Sequence, residues 1–166
     1  MRIPVVNEQD EIIGYKDRND RNNLDITRIT ALWLFNERGE VLLAQRAFNK
    51  KFSPGKWGPA VAGTVEEGET YESNIIKEAE EEIGLKDLKP ILSQKLRRTT
   101  NHAYFAQWFI TTINSDYPLV KQDNEVEAIK WFSKDELFKA LDETPEIFLY
   151  SLRESATYYF SFKENY

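Results

Sequence analysis

The chain has 166 residues, enough for one domain with a sizeable core, and its 41% hydrophobic and 30% charged content is ordinary for a soluble globular protein. A net charge of −6 argues against nucleic acid polymers or membranes as partners. The absence of cysteine excludes disulfides, a thiolate nucleophile and Cys-ligated zinc, and a single His excludes a His-rich metal site.

No apolar run reaches membrane-spanning length and the N-terminus lacks a signal pattern, so the expected location is cytoplasmic. In chain order, residues 3–15 read as a hairpin around a polar turn at Asn7–Asp10. Residues 16–27 are charged and Asn-rich, and read as a linker or loop. Thr30–Phe35 and Val41–Arg46 form a strand pair across the turn Asn36–Gly39. Residues 47–62, with Ser53-Pro54-Gly55 and Gly58-Pro59, read as one long loop, a length usually kept for function. A helix is expected over about Tyr71–Ile83 with Gly84 as its C-cap. Leu92–Arg97, Tyr104–Ile113 and Glu127–Phe132 read as strands. Ser133-Lys-Asp-Glu136 is a capping box opening a helix to about Leu141. Thr144-Pro145 predicts the start of a last, aromatic-rich helix running to about Tyr158. This irregular interleaving predicts a mixed sheet flanked by helices, an α/β (α+β) fold within a single domain, 1–166, whose residues 1–27 form an N-terminal hairpin extension and linker.

The chemistry concentrates in residues 63–85: a glycine-rich turn, the isolated Glu69, then a helix dense in carboxylates. At about 100° per residue, Glu78, Glu81 and Glu82 share one stripe, and Ile75, Ile76, Ala79 and Ile83 occupy the neighbouring arc. One face thus packs on a core while the adjacent face gathers negative charge. Glu80 points away and reads as solvated. Glu69 can fold back to the helix N-terminus, where the dipole favours a carboxylate. Hard cations want oxygen ligands, and Mg²⁺ takes one or two carboxylates while leaving positions for substrate phosphates. A solvated acidic face is the plainer alternative for such a run of charge.

The spacing of Gly63, Glu69, Glu78, Glu81, Glu82, Gly84 and Leu85 resembles the Nudix box. Two positions depart: Lys77 stands where the family usually has Arg, and Ala79 is small for the apolar site. Lys keeps the charge but loses the planar fork that grips a carboxylate bidentately. The resemblance implies an α/β/α sandwich with a mixed central sheet and a hydrolase of a diphosphate linked to another group, most simply a nucleoside diphosphate derivative. It implies Mg²⁺ or Mn²⁺ as cofactor, held by Glu78, Glu81, Glu82 and the Gly63 carbonyl, with Glu69 and Lys77 orienting those ligands. The general base is Glu78 or a carboxylate outside the box. Among Asp123, Glu125 and Glu127 the choice falls on Glu125, with a solvated loop acid as the alternative reading. The substrate phosphates need cations. Arg46, at the end of a strand, leads a group that includes Arg28, Lys50, Lys51, Lys56, Arg97 and Arg98. Trp57 is open between stacking on a base or isoprenoid and plugging the core. The expected partner is a small-molecule diphosphate, and the protein a monomer or homodimer.

Val41–Glu69, Asp123–Trp131 and Asp142–Leu149 are also similar to isopentenyl-diphosphate isomerase, a member of the same superfamily. That enzyme needs a Cys just before the glycine of the box and a His just after it, where this chain has Ala62 and Thr64. A gapless match anchored on Phe105 puts Arg98 and Thr100 where the isomerase has a Glu pair. Ala and Thr cannot give and take protons at neutral pH, so the resemblance implies an isomerase-like scaffold carrying a hydrolase site. A catalytically weak metabolite-binding or regulatory domain is the second reading, and a true isomerase the third.

Overall fold

The computed structural model describes residues 1–163. The N-terminal hairpin is β1 (Arg2–Val6) and β2 (Ile12–Asp17), paired antiparallel. Its successor β3 (Ile26–Asn36) is the spine of a nine-stranded sheet. It pairs antiparallel with β1, with β4 (Val41–Arg46) and with β6 (Val61–Thr64), and parallel along its whole length with β8 (Ala103–Ile113). β7 (Ile91–Thr99) adds to β8, while β5 (Trp57–Pro59) and β9 (Val126–Phe132) add to β4.

Alternation along β3 creates two cores. Ala31, Trp33 and Phe35 face one side, where they meet Trp108, Leu137, Leu152, Ala156 and Tyr159. Leu32 and Leu34 face the other, where they meet Ile75, Ala79, Ile83 and Phe109. Helix α1 (Tyr71–Ile83) therefore covers one face, and α2 (Lys134–Glu143) with α3 (Leu152–Lys163) covers the other. The layers are α/β/α around one mixed sheet, as the sequence implied. Trp33 stacks on Trp108 at 4.4 Å between ring centroids in the first of these cores.

The α1 boundaries agree with the expected ones. Thr70 caps the helix through Ser73, and Gly84 ends it with φ +67° while its N–H reaches Ala79 and Glu80 carbonyls. The capping box at Ser133–Glu136 opens α2 as its spacing predicts.

Three expectations are corrected. Residues 16–27 are not all loop, because β2 continues through Asp17 and β3 begins at Ile26. Lys16 bonds both oxygens of Asp25 at 2.7 Å across the remaining turn. The loop over 47–62 is also shorter, since β5 and β6 occupy its second half. Pro59 lacks a backbone donor, and among the named strands β5 pairs only with β4. Finally, although Pro145 opens a short 3-10 helix, no α-helix starts at Thr144. Its hydroxyl donates to Ala140 in the preceding helix, and Pro145–Ile147 form a single 3-10 turn. Phe148 then bridges Trp57, and the Leu149 N–H donates to the Trp57 carbonyl at 2.8 Å. That tertiary pairing holds the segment extended and delays the last helix to Leu152.

Ile83 is fully buried at the end of α1. Ile83→Ala is expected to lower the urea unfolding free energy by about 2–5 kcal/mol.

Candidate active site

β6 lies beneath α1, and its residues Ala62 and Gly63 are the floor of the site. Glu78 lies directly over Gly63. A Cβ placed on Gly63 would come within 2.4 Å of Glu78 Cγ and 2.8 Å of its Oε1. Only glycine admits that carboxylate so close to the strand. One helical turn later, Glu82 accepts the Ala62 N–H at 3.3 Å. Burial pushes the Glu82 carboxyl up to about 8, with Glu78 and Glu125 adding repulsion against the Ala62 bond and Lys50. Burial also raises the Glu78 pKa, against the pull of Lys77.

Glu78 is fixed from the other side as well. Lys77 Nζ lies 2.6 Å from Glu69, 3.1 Å from Glu66 and 3.7 Å from Glu78. Burial works against Glu69 ionisation, but Lys77, the Glu66 N–H and Asn74 together outweigh it and hold its carboxyl below the ordinary value. Lys77 thus reaches three acids as a point charge, without the fork of an arginine.

Asn74 is a residue that the sequence reading missed. It is fully buried, and its amide donates to Glu69 at 2.8 Å, Glu78 at 3.3 Å and the Thr64 carbonyl at 3.2 Å, while accepting from Thr30 at 2.5 Å. The available signal was a polar side chain adjoining the apolar stripe of an amphipathic helix.

Glu125 comes to the site through backbone bonds. Gln122 N–H donates to the Glu82 carbonyl at 2.8 Å and Val120 N–H to Ile83 at 2.9 Å, so the loop before β9 is tied to the last turn of α1. The Ala47 N–H donates to the Glu125 carbonyl, and Lys50 pairs with its carboxylate. Arg46, Glu82 and Glu125 line one open cleft with Gln45, Ala62 and Leu149. Burial draws the Arg46 pKa down, and Glu82 and Glu125 act against that. Asp123 and Glu127 are exposed, and Asp123 pairs with Lys121.

Glu81 is exposed on the helix, and it couples electrostatically to Glu78. Among the described residues no group of three His, Asp or Glu side chains stands ready as a metal cage. The expected convergence of Glu78, Glu81 and Glu82 is therefore a shared stripe and not a preformed cluster, as repulsion between like charges without a cation favours. The donor set nevertheless fits a hard ion: carboxylates beside an open cleft, one of them half-buried with a single long hydrogen bond.

The remaining candidates are placed as follows. Arg28 is taken up by Asp10 at 2.7 Å and Arg97 by Glu8 at 3.0 Å, both in the N-terminal hairpin. Lys51 and its neighbour Phe52 are exposed. Lys56 donates to the Glu146 carbonyl. Trp57 packs edge-on against Phe132, 5.9 Å between centroids, as part of the core. Arg98 lines a second cleft, largely apolar, that adjoins the first through Pro59, Ala62 and Leu149.

The chain and its fold are similar to those of known proteins. The sequence profile of the NUDIX domain matches residues 26–152. An isopentenyl-diphosphate Delta-isomerase from Salmonella heidelberg is 28% identical over 153 residues, covering 88% of this chain and 84% of that protein. Among solved structures, the fold is similar to that of the protein DR0079 from Deinococcus radiodurans, with TM-score 0.80 and 24% identity over 95% of this chain and 98% of the other. It is also similar to an Ap4A hydrolase from C. elegans, with TM-score 0.62 and 18% identity over 85% and 100% of the two chains.

A carboxyl raised on folding binds its proton more tightly in the native than in the unfolded state. Its contribution is therefore lost as pH rises between the ordinary value of 4.5 and about 8. In EDTA, the wild type should lose stability across that window by an amount on the order of a few kcal/mol, read by urea melts at several pH values. Glu82→Gln should flatten the slope and be the more stable protein at the alkaline end. A wild-type slope equal to that of the variant would remove Glu82 as its source.

Proposed function

The chain belongs to the NUDIX domain family, and from that premise we propose that it is a divalent-metal-dependent hydrolase of a diphosphate linkage, acting on a nucleoside diphosphate derivative. The observation that carries this reading is the seating of Glu78 over Gly63 and of Glu82 on the Ala62 N–H, with Glu82 and Ala62 lining a cleft that also holds Arg46 and Glu125.

Glu78, Glu81, Glu82 and the Gly63 carbonyl would hold Mg²⁺ or Mn²⁺, which supplies charge neutralisation on the phosphoryl oxygens and acidifies water. Lys77, Glu69 and Asn74 fix the Glu78 side chain, so less ordering remains when substrate arrives. Arg46, which lines the same cleft as Glu82 and Glu125, would offer its guanidinium to the phosphates. Water attacks one phosphorus, the anhydride P–O bond breaks, and a carboxylate takes up the water's proton. Glu125, which lines the cleft, and Glu78, which lies over Gly63, are the two candidates for that base.

The isomerase relative implies a different reaction, the movement of a double bond by proton addition and removal. Ala62 and Thr64 occupy the positions that would need a proton donor and acceptor, and Ala62 forms part of the cleft wall. The hydrolytic reading is therefore preferred to the isomerase reading on chemistry alone.

Incubation with nucleoside diphosphate derivatives and Mg²⁺ or Mn²⁺, scored by product mass, should show cleavage into two phosphorylated or phosphate products. EDTA and Glu82→Gln should each reduce it to background, and Lys77→Ala should lower it by about 10–100-fold. A wild type that binds such compounds tightly with metal but turns over none would instead indicate a metabolite-binding domain. Gly63→Ala is expected to displace Glu78, with loss of metal-dependent activity in a protein that still melts cooperatively.

A further inference from the structure

Asn74 is the fourth residue of α1, and it is fully buried. Packing alone would be served there by an apolar side chain, because Ile75, Ala79 and Ile83 of the same helix pack on the sheet beside it. A buried amide is costly unless its groups find partners. Both ends of Asn74 find them. The Thr30 hydroxyl donates to its Oδ1 at 2.5 Å. Its Nδ2 faces the Thr64 carbonyl at 3.2 Å, Glu69 at 2.8 Å and Glu78 at 3.3 Å. A backbone carbonyl only accepts, so the amide nitrogen is fixed on the side of the acids, and Thr30 keeps it from turning over.

Lys77 and Glu78 follow three and four residues later, on the same side of the helix. The lysine has a single nitrogen. It lies 2.6 Å from Glu69 and 3.1 Å from Glu66, but 3.7 Å from Glu78, beyond hydrogen-bond reach. The hydrogen bond on the Glu78 carboxylate comes instead from Asn74. A guanidinium carries five N–H donors on one rigid plane and could bond both Glu69 and Glu78, whereas an ammonium is a point charge.

We infer that Asn74 and Lys77 divide between them a task that one guanidinium could perform alone, tying Glu78 to Glu69 above Gly63, so that the residue at position 77 decides whether Asn74 is needed. Asn74 is on this account a positioning residue, acting through Glu78. The inference rests on the metal-site reading above and deepens it.

The test reads Mn²⁺ binding by EPR titration of the free ion, which needs neither substrate nor turnover. Asn74→Ala should weaken that binding by roughly tenfold or more. In a Lys77→Arg background the same substitution should cost less than about threefold. Stability should behave differently. Asn74→Ala takes the partner from the buried Thr30 hydroxyl, so the urea midpoint in EDTA should fall in both backgrounds alike. A purely structural role would make metal affinity fall with the midpoint, and Lys77→Arg would restore neither. Thr30→Val/Asn74→Ala removes the stranded hydroxyl, serves where Asn74→Ala does not fold, and carries the same expectation for Mn²⁺. Crystal structures without metal check the geometry directly. Glu78 should leave Gly63 in Asn74→Ala and be seated there again in Asn74→Ala/Lys77→Arg. Unchanged Mn²⁺ affinity in Asn74→Ala, or a loss of equal size in both backgrounds, would overturn the inference. A wild type that binds no Mn²⁺ would refute the metal site itself, and the seat of Glu78 in the metal-free crystals would then decide the role of Asn74.

Discussion

The contact on which the site depends is the packing of a helical carboxylate against a bare strand. Glu78 fits because position 63 has no side chain, and β6 is held in place by four register pairs to the spine strand β3. A shift of β6 by one residue would put Ala62 or Thr64 beneath the helix and leave no room for the carboxylate. The strand register, the glycine and the helix phase therefore form one constraint. The same seating buries Glu82 against the Ala62 N–H, which creates a carboxylate with too few partners to be comfortable as an anion. That energetic debt is carried by the packing of Ile75, Ala79 and Ile83 on the other side of the helix, all fully buried.

The N-terminal hairpin contributes to the same end at a distance. Asp10 accepts from Arg28, from Lys95 and from the Tyr71 hydroxyl, and Arg28 and Lys95 both lie over the Tyr71 ring. Tyr71 is the first residue of α1. The hairpin, the spine strand, β7 and the helix start are thus joined at one half-buried charge cluster. Removing Asp10 alone would leave two cations beside one aromatic ring without the carboxylate they share, a larger loss than the pair itself confers. Arg97 to Glu8 and Arg2 to Glu67 extend the attachment on the surface, where each pair is worth little.

The departures from the family pattern find a physical place in the structure. Lys77 acts as a hub for three acids, so the charge that the position requires is supplied although the fork geometry is not. Ala79 packs fully buried against the sheet. Ala62 lines the cleft beside Glu82, and Arg98 puts a cation in the neighbouring cleft.

The amino-acid sequence by itself determined the local parts: the strand alternation, both capping boxes, the Gly84 stop, the bounds of α1 and the stripe shared by Glu78, Glu81 and Glu82. Each of these follows from side-chain periodicity or from backbone preferences within a few residues. Only the tertiary structure decided the rest. Glu125 was one of three similar acids in a polar segment until Gln122 and Val120 bonded to the end of α1 and turned it toward Glu82. Arg28 and Arg97 had the charge for a phosphate site but were drawn to the hairpin by Asp10 and Glu8. Thr144-Pro145 had the local signature of a helix start, but the backbone pairing of Phe148 and Leu149 with Trp57 outweighed it. In every case the deciding partner is distant in sequence, and neither periodicity nor propensity carries information over that separation.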